Sequence, residues 1–333
     1  MNNNKIIKIC IIGAGRAGKF HVNSLLINKQ YKLLYIIDKD IELAEKLSNI
    51  ANCKYHNNLD YLLKTIDFDA VIIATTTNTH YDLTIKCLKF NKHVLCEKPI
   101  GKNEEEIEDC FKLAEINNLK LLIAYQKRFD KNYNDLYNLL KNEKNKPNNI
   151  HIINKDYPLP DINYLKTSNG LIEDMLCHDI DIINLYMNFE IPEKVVAFTY
   201  THNILLKKIN EIEGAEVMIQ YKEGQIITFS ALRNSNNGYD QRIELSGDFG
   251  MYLLNNNLDN TIIKHDIFGG HSSKNQYSFV DRYKDAYINE LNYFYNMIVF
   301  NYDTMIKKDE LILTKKICNA INESIKTKQI IYF

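Results

Sequence analysis

With 333 residues, 45% hydrophobic and 25% charged, the chain is long enough for about two globular domains with cores of their own. A formal net charge of −1 excludes overall charge as a drive toward nucleic acid or an anionic membrane, and no apolar run reaches membrane-spanning length. Seven scattered cysteines without a CxxC, and a polar MNNNK start without a signal-peptide pattern, fit reduced thiols in a cytoplasmic protein and argue against structural zinc.

The first expected element is a strand over 6–12, stopped by Gly13-Ala14-Gly15-Arg16-Ala17-Gly18 ahead of a helix at 17–28. Strand, tight turn and helix in that order form a dinucleotide cradle. Gly13 permits the turn, Gly15 lets the backbone approach a pyrophosphate, and Gly18 lets the helix pack on the strand. The helix start at Arg16 and Ala17 offers N–H groups and a positive dipole end to phosphate. The alternative is an ordinary strand–helix turn. Against that, only 12 glycines occur in the chain, and three fall in these six positions. A second strand, 32–37, ends in Asp38, where a carboxylate can bind the adenosine ribose hydroxyls. Asp38 would repel a 2′-phosphate, so NAD is favoured over NADP, although Lys39 stands beside it.

Further strands are expected at 70–75, 93–96 and 120–124, with helices at 40–50, 58–65, 79–90 and 103–117. This alternation predicts a parallel sheet covered on both faces. The third strand runs into Thr75-Thr76-Thr77-Asn78-Thr79-His80, a loop placed to face a cofactor beyond the strand ends. Thr75, Thr76, Asn78 and His80 are candidate cofactor contacts there, and the same residue types also suit a helix N-cap. The next strand ends in Cys96-Glu97-Lys98-Pro99. Lys98 can bond both a nicotinamide ribose and a reacting hydroxyl, with Glu97 beside it on the cofactor side.

A polar loop at 141–149 precedes a change of pattern. A strand at 150–156 and a helix near 171–188 lead into runs near 194–203, 215–222, 225–233, 241–247, 250–256 and 260–265, then helices at 281–301 and 309–327. Consecutive strands predict an α+β domain with a large, mostly antiparallel open sheet. The expected division is a Rossmann domain over 1–124 and a substrate and oligomerisation domain over 125–333. In the helix near 171–188, Asp174, His178 and Asp181 form one stripe at i, i+4 and i+7, with Ile172, Leu176, Ile180 and Ile183 broadly opposite. The stripe suits a solvated polar face. It also suits a proton acceptor, His178, whose tautomer and imidazolium are held by Asp174. A metal site is a third option, which a hydride transfer served by a lysine and a histidine does not need.

These stretches together resemble the Gfo/Idh/MocA oxidoreductase family, and within it the inositol 2-dehydrogenases. GAGRAGKFH, ATTTNTH, CEKPI, AYQKRFD, EDMLCHDID, GYDQR and DRYKDAY carry the likeness over nearly the whole length. The resemblance implies Lys98 as catalytic lysine, His178 as acid/base assisted by Asp174, and polyol contacts from Asp181, Arg128, Lys155 and Tyr239. It also implies a cis peptide before Pro99, NAD as cofactor, a small polyol as substrate, and self-association as a dimer or tetramer. Three departures stand out: Thr76-Thr77 replaces a usual proline, Asn169-Gly170 replaces paired glycines, and Lys155 replaces an arginine. Lysine offers a point charge where arginine offers a planar fork, so the last change bears on which polyol is bound. The rivals are a dehydrogenase of another sugar or cyclic diol, and a non-catalytic NAD-binding regulator on the same fold.

Overall fold

The computed structural model describes residues 5–333, which form two compact units. The first holds the chain to Asp130 together with Asp285–Ile312; the second holds Lys131–Lys284 and Leu313–Phe333.

The first unit alternates β1 (Ile7–Ile12), α1 (Arg16–Ile27), β2 (Tyr31–Ile37), α2 (Ile41–Ala51), β3 (Lys54–His56), α3 (Leu59–Thr65), β4 (Ala70–Ile73), α4 (His80–Lys89), β5 (His93–Glu97), α5 (Glu104–Ile116) and β6 (Leu121–Ala124). Its six strands lie in the order β3-β2-β1-β4-β5-β6, and every pair is parallel. The central strands β1, β4 and β5 are almost wholly buried Ile, Val, Leu and Cys, as a sheet covered on both faces requires. Chain order reverses at β1, with β2 on one side and β4 on the other, which is the topological switch point where open α/β sheets take their ligands. The short edge strand β3 was not expected from the sequence.

The second unit begins with α6 (Lys131–Lys141), β7 (Asn149–Lys155) and α7 (Ile162–Leu165). A π-helical segment, Ile172–Leu176, then runs directly into α8 (Cys177–Tyr186). Beyond it come β8 (Lys194–Tyr200), α9 (Ile204–Lys208), β9 (Gly214–Gln220), β10 (Ile226–Leu232), β11 (Asp240–Gly247), β12 (Gly250–Leu254), β13 (Ile263–Asp266) and β14 (Gly269–Ser272). The chain closes with α10 (Phe279–Arg282), α11 (Lys284–Phe300), α12 (Lys308–Thr327) and β15 (Ile331–Tyr332). A seven-stranded sheet has the order β12-β11-β7-β10-β9-β8-β15, antiparallel except for the β7–β10 pair. In β9 and β10 burial alternates residue by residue, so one face packs and the other stays open. The run expected at 260–265 does not join this sheet; β13 pairs with β14 in a separate, exposed hairpin.

The sequence boundary at 124/125 leaves the late helix α11 with the second half of the chain, but its contacts lie in the first unit. Tyr31 donates to the Leu291 carbonyl at 2.7 Å, Tyr295 to the Lys5 carbonyl at 2.9 Å, and Asn28 to Asn292 at 2.9 Å. Among the described residues, no helix is long and apolar enough to cross a membrane.

Candidate active site

In the first unit, the glycine turn after β1 is built by close backbone approach. Gly13 has φ +107°, and a Cβ there would stand 2.3 Å from the Ala74 carbonyl oxygen. A Cβ on Gly18 would stand 2.0 Å from the Gly13 carbonyl oxygen, so α1 can reach the strand this closely only with glycine. Gly15 is different: it is exposed, with nothing within 4 Å of its Cβ position. Gly15 is also the N-cap of α1, and no side chain caps that helix. An uncapped helix start behind an open glycine is a cradle for a pyrophosphate, and it fits a dinucleotide. Asp38, at the end of β2, accepts the Ala14 amide at 2.7 Å and so ties the second strand to this turn.

Across the switch point, the loop after β4 is a single 3₁₀ turn, Thr77–Thr79, running into α4. Thr75 and Thr79 share a hydroxyl hydrogen bond of 2.7 Å, and Thr76 donates to Asn78 at 2.8 Å. The N-cap alternative fails here: neither the turn nor α4 has a side-chain cap. His80 is buried, with Nδ1 2.9 Å from the Pro99 carbonyl and Nε2 3.1 Å from the Thr75 carbonyl. It therefore joins the loop after β4 to the loop after β5. Burial pushes its pKa below the usual histidine range.

Lys98 follows β5, half-buried, and its peptide bond to Pro99 is cis. Beside it, Glu97 lies 2.9 Å from Nε2 of His21 on α1. Burial raises the Glu97 pKa, but the His21 hydrogen bond and neighbouring cations outweigh it and hold the carboxyl below its ordinary value. Arg128 is buried after β6, with Nη2 3.2 Å from a Glu310 carboxylate oxygen.

In the second unit, the expectation of a solvated polar stripe is overturned. From Leu171 to Met187 every residue is buried except Asp174 and His178, which are half-buried. Asp181 and Asn184 are fully buried, Asn184 donates to Thr314 at 3.0 Å, and Asp179 accepts from Asn154. Sheet and helices enclose this helix, so its polar groups meet partners rather than water. Asp174 sits in the π-helical segment and His178 in the first turn of α8. The Asp174 carboxylate accepts from Arg233 Nη1 at 2.6 Å and from the Tyr164 hydroxyl at 2.6 Å. Sequence reasoning missed both donors. The available signal was parity: Arg233 continues the inward series Ile227, Phe229 and Ala231 of β10, where a charge needs a reason.

Lys155, ending β7, pairs in register with Asp240 at the start of β11. Tyr239, just before it, is buried with its ring edge-on to Tyr283 at 6.3 Å, and burial pushes its phenol well above the ordinary value. Gln241 donates to Asn154 at 2.6 Å, extending the polar chain from Asp179 to the sheet. Lys98 and Arg128 thus stand in the first unit, and Asp174, His178, Asp181, Lys155 and Tyr239 in the second. No cluster of His, Cys, Asp or Glu suited to a metal ion occurs among the described residues.

A parallel sheet with a glycine cradle at its switch point and a carboxylate just after the second strand defines a dinucleotide-binding fold. The family "Oxidoreductase family, NAD-binding Rossmann fold" matches residues 7–125, and "GFO/IDH/MocA C-terminal domain" matches residues 146–253. The chain belongs to the Gfo/Idh/MocA oxidoreductase family and is an NAD-dependent enzyme. It is 30% identical to a myo-inositol 2-dehydrogenase of Thermotoga maritima over 290 residues, covering 86% of this chain and 87% of that one. An inositol 2-dehydrogenase of Rhizobium meliloti is 28% identical over 293 residues, covering 86% and 87%. A solved structure of scyllo-inositol dehydrogenase from Lactobacillus casei, with bound NAD(H) and scyllo-inositol, superposes with a TM-score of 0.91 at 26% identity, covering 98% of this chain and 99% of that one.

Proposed function

We propose that this protein oxidises a ring hydroxyl of myo-inositol or a closely related polyol to a ketone, with NAD as acceptor. One observation carries the reading: in an otherwise buried helix, the two half-buried positions are Asp174 and His178, one turn apart. The relatives' names, inositol dehydrogenases throughout those described above, support a polyol.

When bound, the nicotinamide supplies the hydride acceptor. Gly13, Gly15, Arg16, Ala17 and Gly18 hold the pyrophosphate, and Asp38 holds the adenosine ribose. Thr75, Thr76, Asn78 and Glu97 line the cofactor's path, while His80 holds two of the loops that do so. His178 takes the proton of the reacting hydroxyl, and Asp174 steadies the imidazolium that results. Lys98 holds the reacting oxygen and the ribose beside it. Arg128, Lys155, Asp181 and Tyr239 read the remaining hydroxyls, where each unmatched polar group costs specificity. Residues 1–124 carry the nucleotide and 125–333 the substrate, and copies associate through the open sheet face.

The test is direct: purified protein, NAD and myo-inositol, followed by NADH absorbance. Turnover is expected, and His178→Ala lowers kcat about 10²- to 10⁴-fold with NADH affinity kept. Silence across a panel of inositols, hexoses and cyclic diols overturns the polyol reading. Turnover of a hexose or cyclic diol alone moves the substrate class.

A further inference from the structure

Arg233 has no exposed surface, yet it carries a guanidinium. Its Nη1 donates to Asp174 at 2.6 Å, its Nε and Nη2 both reach one oxygen of Glu211 at 2.9 and 2.6 Å, and Nη2 lies 3.4 Å from the Ser168 hydroxyl. The Arg233 amide donates to the Glu213 carbonyl at 2.8 Å, which fixes the stem of the side chain. Tyr164 takes the other Asp174 oxygen at 2.6 Å. The carboxylate is thus gripped on both oxygens by donors from two separate segments. It needs such a grip, because Asp174 sits in the π-helical stretch Ile172–Leu176, where the regular α-helical side-chain track is broken.

We infer that Arg233, clamped by Glu211, is the positioning residue that sets where the Asp174 carboxylate points in the proposed reaction. Arg233 touches neither substrate nor cofactor in this role; it acts through Asp174. A planar fork is required, since one guanidinium spans Asp174, Glu211 and Ser168 together, and a lysine ammonium cannot hold that geometry. The inference rests on the reading of Asp174 and His178 as the catalytic pair.

The experiment uses the full chain with NAD and myo-inositol, or with the panel member that the unaltered protein oxidises fastest. Arg233→Lys, Tyr164→Phe and Asp174→Asn are compared for kcat, KM, NADH affinity by fluorescence titration, and thermal unfolding. Arg233→Lys keeps the buried cation, and it should unfold cooperatively and bind NADH as before. Its kcat should fall about 10- to 100-fold, the cost of a misplaced catalytic group. Tyr164→Phe, which strands no charge, should lower kcat by a smaller factor. A purely structural role predicts that lysine restores kcat, and full kcat in Arg233→Lys overturns the proposal. If Arg233→Lys does not fold, Tyr164→Phe decides, and unchanged kcat there overturns it. Full kcat in Asp174→Asn removes the catalytic reading and this inference with it. Loss in Asp174→Asn beside intact Arg233→Lys and Tyr164→Phe removes this inference alone.

Discussion

One oxygen of Asp38 accepts the Ala14 amide at 2.7 Å, and the other accepts the Asp40 amide at 2.9 Å. Each carboxylate oxygen has a second lone pair, so Asp38 can hold the glycine turn and still accept from a ribose hydroxyl. Its charge also opposes a 2′-phosphate at the same place. Asp38→Asn keeps an acceptor for the turn but removes the charge. On the proposed role of Asp38, kcat/KM with NAD should fall about tenfold, the worth of one charge-assisted hydrogen bond. Activity with NADP should rise relative to NAD, and kinetics with both cofactors read the ratio. An unchanged ratio would place the nucleotide selectivity elsewhere. The same residue scale explains what a motif conveys and what it does not. Gly13 and Gly18 are legible in sequence because backbone atoms occupy the space a Cβ would fill. Arg233 is legible only as an inward position by its parity along β10; its partners, 22 and 59 residues away, are not.

Helix α11 is the element whose place was hardest to read. A helix is expected at 281–301, but its docking on the first unit depends on contacts with residues more than 150 positions earlier. Tyr287 on this helix sets its ring edge-on to His21 at 5.7 Å, and Glu290, one turn later, is fully buried. Neither Glu290 oxygen has a hydrogen-bond partner, and burial together with the nearby Glu97 charge pushes its carboxyl well above the ordinary value of 4.5. A buried carboxyl with a second carboxylate nearby resists ionising, and the directions agree: Glu97 goes down, Glu290 up. The folded state therefore favours a protonated Glu290. That contribution to stability is full below the unfolded value and is lost as pH rises from there toward the raised folded value. Glu290→Gln copies the shape of the neutral carboxyl and does not titrate. Its Tm should match the unaltered protein near pH 4 and exceed it by a growing margin toward pH 9 in melts across that range. A constant difference would show that Glu290 is ionised in the fold. Other elements were legible for plain reasons: β1, β4 and β5 as apolar runs between helical stretches, β9 and β10 as strand-like runs split by Glu223-Gly224. The edge strands β3 and β15 are three and two residues long, too short for any period to show.

At the scale of the molecule, alternation along the seven-stranded sheet turns one face inward and leaves the other open. Register sets Val196, Met218, Thr228, His151, Glu244 and Leu253 in one row across that open face. Phe198 is 70% exposed, Met218 48% and Leu253 53%, so large apolar side chains stand in water on this face. Scattered single apolar residues need no explanation, but a sheet face carrying several is the kind of surface that proteins cover. A second copy of the same chain covers it symmetrically under the proposed self-association, because a two-fold axis matches each row to its own repeat. The unaltered protein should then run as a multiple of its 39.0 kDa chain mass in light scattering. Phe198→Arg and Met218→Arg introduce charge where the partner's apolar groups would lie, and burying an unpaired charge is expensive. The double variant should shift to smaller species, with the fold kept, since both side chains point away from the packed face. A protein that runs at the single-chain mass before any substitution, or a double variant that keeps the larger mass, would mean that this face is not where copies meet.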